Sequence, residues 1–214
     1  MGKDLDPMLL QRIREGLRQQ RLSENNVALA AFLDCREAAV ALEEHIESPE
    51  DLRPWCEAIY DGWGKSAAAR TVIAWARAAM HRWDKPPLPE KLRPRLNPLP
   101  YALLVAAEQL VTAPNEIILA NAIRLLEPAY EEPELLAEQD GLPNHASILS
   151  LTIQAAAIMT GSSTSALNEA RDDAHLLWPN NVPLIKRIAA SELIPWTLGE
   201  QDALAKRPTR MPLT

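Results

Sequence analysis

Gly62-Trp63-Gly64-Lys65-Ser66 comes closest in this chain to a chemical signature, because a Gly-Lys-Ser triplet can hold a phosphate. That chemistry needs a further glycine five positions before the second one, so that successive amides wrap the phosphates, and a strand feeding the loop. Ile59 holds the required position, and the residues before it follow a helical pattern. The expected role is therefore a helix-ending glycine turn, with Ser66 capping the helix that follows. The four histidines, His45, His81, His145 and His175, are dispersed. A helical carboxylate metal site needs two acid/histidine pairs at three-residue spacing plus two more acids. Asp172 and His175 supply one pair, and no second matches it. The run Gly161-Ser162-Ser163-Thr164-Ser165 offers hydroxyls without a neighbouring base and reads as a turn. The expectation is a non-catalytic protein without metal or cofactor.

Positive charge is the other chemical resource. The chain carries a net charge of -7, distributed as +2 over residues 1–22, -7 over 23–52, +5 over 53–95, -8 over 96–170 and +1 over 171–214. One basic block thus lies between two acidic ones. Within it, residues 66–83 (SAAARTVIAWARAAMHRW) have strong helical periodicity. Val72, Trp75, Ala76, Ala79 and Trp83 share one face, while Arg70, Arg77 and His81 line the opposite face within about 40° of one another. With Arg93 and Arg95 they make up the predicted partner- or phosphate-binding set, an exposed basic ridge. A protein partner presents carboxylates to such a ridge. A nucleic acid presents phosphates, and Trp55, Trp63, Trp75 and Trp83 supply candidate stacking surfaces. Trp75 and Trp83 are assigned to the core instead, since they fall on the apolar face, and the acidic blocks repel any polyanion.

The elements that position these residues are helices. Of the 214 residues, 47% are hydrophobic and 24% charged, with one Phe and three Tyr, and no segment alternates as a strand does. Alanine and leucine dominate, and they lose least on entering a helix. Helices are expected near residues 7–22, 25–47, 49–61 and 66–83, then 101–112, 114–127, 144–160, 163–177 and 181–198. Asp6-Pro7 and Ser48-Pro49 provide capped starts. The fold class is all-α, with an N-terminal module over 1–83, a proline-rich connector over 84–100, a helical-hairpin module over 101–198 and a flexible tail over 199–214. In the connector, Pro86-Pro87-Leu88-Pro89-Glu90-Lys91 matches a PxxP-plus-base docking pattern. Leu88, Leu92, Leu96 and Leu99 argue that it packs against helices. No apolar run reaches the ~20 residues of a membrane span. Cys35 and Cys56 form no CxxC pair and are expected as buried thiols of a reduced, cytoplasmic protein.

Two resemblances bear on partners. Residues 22–43 resemble the helix-turn-helix of bacterial repressors in spacing, but Phe32 stands near the place of the tight glycine turn and the segment is acidic. Residues 145–180 resemble one tetratricopeptide-type helical hairpin, with Gly161 in the turn, Ala166 and Ala170 at the small positions of the second helix, and Pro179 closing it. Ser150, Gln154 and Ala157 stand where that family has Trp, Gly and Tyr. The resemblance implies antiparallel hairpins of the kind used for protein docking. The expected function is a non-catalytic adaptor, chaperone-like or assembly subunit that binds a protein. The alternative is a subunit of a nucleic-acid-handling complex that touches phosphates through residues 53–95.

Overall fold

A computed structural model describes residues 52–138, 141–161, 163–197 and 209. The expected helices over 7–22 and 25–47, the helix-turn-helix-like segment 22–43, Cys35 and His45 lie outside the described residues. The described residues form helices without strands: α1 (Leu52–Ala79), α2 (Arg93–Leu96), α3 (Leu99–Thr112), α4 (Glu116–Leu126), α5 (Glu132–Glu138), α6 (Pro143–Thr160), α7 (Ser163–Leu177) and α8 (Val182–Thr197), with a 3-10 turn at Met80–Arg82 after α1. The all-α reading holds.

At the centre lies α6. Every side chain from His145 to Ile158 except Ser150 is buried. Such a helix must be small or apolar on all sides, and Ala146, Ser147 and the run Ala155-Ala156-Ala157 let neighbours approach closely. Around it pack α1, α3, α5, α7 and α4, while α8 closes over α1. One hydrophobic cluster runs from Leu52 of α1 to Leu193 of α8 and includes Leu88 and Leu96 of the proline-rich stretch. Leu92 and Leu99 pack against it from half-buried positions. The connector leucines therefore lie down on the helices, and residues on both sides of the stretch share one core.

Two boundaries differ from the expectations. The helices predicted at 49–61 and 66–83 meet in α1 as one helical run, broken at Gly64, whose φ of 76° and ψ of -168° lie outside helical space. The glycine turn was legible, because glycine alone adopts such a conformation cheaply. No helix was expected between 127 and 144, yet α5 forms there with Pro133 in its first turn. A first-turn proline sacrifices no helical hydrogen bond, so it starts a helix as readily as it ends one. Among the described residues no helix is long and apolar enough to cross a membrane.

Candidate functional site

The predicted basic ridge does not form as one exposed surface. Arg70 is the clearest correction: it is 2% exposed, and its guanidinium lies 2.8 Å from Glu192 of α8. Residues 67–76 of α1 are buried on every side, because α8 covers the face that periodicity assigned to solvent. Trp75 donates from Nε1 to the carbonyl of Ile185 at 2.9 Å and ties the same two helices together. Arg77 is half-buried and pairs with the buried Glu108 of α3 at 2.8 Å. Arg95 is exposed and pairs with the buried Glu132 of α5. Arg93 is exposed and donates to the Leu88 carbonyl at 3.2 Å. His81 is exposed, and its Nδ1 lies 2.7 Å from the Ala78 carbonyl. A carbonyl only accepts, so Nδ1 carries the hydrogen.

These partners show where part of the basic block is directed. Arg77 and Arg95 of the basic block reach Glu108 and Glu132 of the second acidic block, and Arg70 reaches Glu192. Arg82 also turns inward: it donates to the Leu177 carbonyl at the end of α7 at 2.6 Å and stacks over Trp178 at 5.5 Å. A cation there satisfies an end-of-helix carbonyl and complements the helix dipole. Much of the basic block is therefore internal clamping between helices. Trp83 is also core, with Nε1 donating to the Asn97 carbonyl at 3.3 Å and its ring 5.1 Å from that of buried His145.

Gly64, Lys65 and Ser66 lie within the helical run of α1, and residues 52–63, which lead into them, are helical and not a strand. Cys56 is buried and free, and burial pushes its thiol up to about 12, which disfavours the nucleophilic thiolate. Among the described residues no group of three or more His, Cys, Asp or Glu side chains can hold a metal ion. The Gly161 turn joins α6 to α7, which pack against each other, and Ala166 and Ala170 are buried in that contact region.

The surface that sequence reasoning missed is apolar. On α4, Ile117 is 75% exposed, Ile123 48% and Leu119 36%. Asn115 caps this helix by accepting from the amide of Ile118 at 2.9 Å. A small cluster seats it: Ala122 packs with Ala106 and Leu110 of α3, flanked by Ile118, Leu125 and Met159. Leu119 and Ile123, four residues apart, stand on one stripe beside the seated face, and Ile117 lies farther round the helix. The segment EIILANAIRLL held the signal, because it has more large apolar residues than one helical face can bury. Tyr130 and Leu176 add further exposed apolar area, at 51% and 70%.

No protein-family model matches the chain, and no curated protein or solved structure matches it.

Proposed function

We propose that the chain is a non-catalytic helical adaptor, chaperone-like or assembly subunit, and that it binds a protein partner through the outward face of α4. The observation that carries this reading is the exposure of Ile117, Leu119 and Ile123 on one short, capped helix. Large aliphatic side chains left in water on the two flanks of one helix are a cost that a partner's apolar surface removes, at about 25 cal/mol for each Å² covered. The hairpin resemblance over residues 145–180 supports the same class of function. Buried, free Cys56 suits a reducing cytoplasmic setting.

The nucleic-acid alternative rests on what remains of the basic set. His81 and Arg93 are exposed, as are Lys65 and Lys85, but Arg70, Arg77, Arg82 and Arg95 are directed at groups within the chain. Phosphate binding gains from unpaired cations whose counterions are released, so this internal pairing weighs against it.

The test is a double substitution, Ile117→Asp with Ile123→Asp. Exposed positions tolerate such changes within about 0.5 kcal/mol, so the melting temperature should stay close to the parent value. Proteins co-purified specifically with the parent chain from its native host should be lost from the variant. Retention of every one of them would remove α4 from the binding surface.

A further inference from the structure

The exposed aliphatics of α4 are framed by charge of one sign. Glu116, Leu119, Ile123 and Glu127 follow one another at spacings of three, four and four residues, which places them within about 80° of one another around the helix. Glu127 ends α4 with helical dihedrals, φ of -52° and ψ of -50°, so the ridge continues to it. All four residues are exposed. The ridge therefore presents acid, aliphatic, aliphatic and acid over about 16 Å of helix. Arg124 is the one cation of α4, and it donates to Asn121 on the side away from this ridge. Over residues 113–138 five carboxylates are exposed against that one guanidinium, so the surroundings of the ridge are acidic as well.

We propose that the partner seated on α4 is an amphipathic α-helix whose aliphatic stripe is flanked at both ends by Lys or Arg; this rests on the reading of α4 as the docking face. Its aliphatic side chains cover Leu119 and Ile123, and its cations reach Glu116 and Glu127 at the rim. Charge selects this occupant. A nucleic acid or an anionic bilayer is repelled by the carboxylates. A second copy of α4 laid along the ridge sets acid against acid whether it runs parallel or antiparallel, and like charges at contact oppose association. Backbone chemistry selects the helix. An extended segment needs a strand edge to pair its N–H and C=O groups, and a helical surface such as α4 offers none. A helix satisfies those groups itself and brings only side chains to the contact. The rim charges then fix the register and the rate of encounter, while the aliphatic stripe supplies the area removed from water.

The experiment uses the full chain and two synthetic helical peptides of about 18 residues, long enough to hold a helix. Each carries two leucines on one stripe at helical spacing. The peptides differ only in the residues flanking that stripe, Lys at both ends in one and Glu at both ends in the other. Binding is followed by fluorescence anisotropy at low salt. The Lys peptide should bind at least about tenfold more tightly than the Glu peptide, and the difference should shrink as salt rises. The variant Glu116→Lys with Glu127→Lys should reverse the preference at an unchanged melting temperature. Leu119→Ser with Ile123→Ser should weaken the Lys peptide at least about tenfold. Equal affinity for the two peptides, or binding of neither, would overturn the basic helix and leave α4 to its own test by co-purification. Undiminished binding of the Lys peptide by the serine variant would place that peptide elsewhere on the protein, and would overturn the proposal too.

Discussion

Asp173 stands on α7 and accepts hydrogen bonds from Ser147 and Ser150 of α6, with Glu169 and Asp172 as acidic neighbours on its own helix. Burial pushes its carboxyl up to about 7, and the serine hydrogen bonds only partly oppose this. The folded value therefore lies above the ordinary one, so the folded chain binds the proton more tightly than the unfolded chain does. Its contribution to stability is full below about pH 4 and is lost as the pH rises through about 7. Asp173→Asn should raise stability by about 2 kcal/mol near pH 8 and change it little near pH 4, measured by urea denaturation at the two values. A loss at both values would show that the serines require the carboxylate. Arg70 shows where residue-level reading failed. The sequence gives its helical angle but not which helix covers that angle, so a buried guanidinium reads as a surface one. Arg70→Ala leaves Glu192 buried without its guanidinium and should cost about 3 kcal/mol, whereas replacing both by Met should cost clearly less. Equal losses would place the stabilisation in packing alone.

At the scale of elements, helix identity follows closely from the sequence, because periodicity and first-turn prolines act locally. The expected helices at 101–112, 163–177 and 181–198 differ from α3, α7 and α8 by two residues or fewer at each end. The connector leucines were legible too: Leu88 and Leu96 are buried at 3% and 1%. The break in α1 was read from Gly62 to Ser66 and falls at Gly64. A β-carbon there meets nothing within 4 Å, so substitution is opposed by the backbone and not by crowding. Gly64→Ala should destabilise by about 2 kcal/mol, from forcing an alanine into a conformation reserved for glycine. Thermal unfolding checks it, and an unchanged midpoint would mean that α1 straightens at no cost. The exposed apolar face of α4 was not recognised, although its composition exceeds one face, because only the packed neighbours decide which apolar positions are left over.

Across the whole molecule, the alternation of basic and acidic blocks was visible in the sequence, and its meaning was not. A pattern of that kind suits a surface for a partner or a set of clamps within one fold, and only the partners of each arginine distinguish the two. Here Glu192, Glu108 and Glu132 take three of the predicted ridge residues to three different helices. The surface proposed to meet another protein is apolar and centred on α4, with exposed His81 and Arg93 elsewhere. The direct measurement is photo-crosslinking in the native host, with a photoreactive residue at position 117 in one chain and at position 93 in another. The account predicts a discrete protein crosslink from position 117 and none from position 93. Crosslinks from position 93 to nucleic acid or protein, with none from position 117, would contradict it.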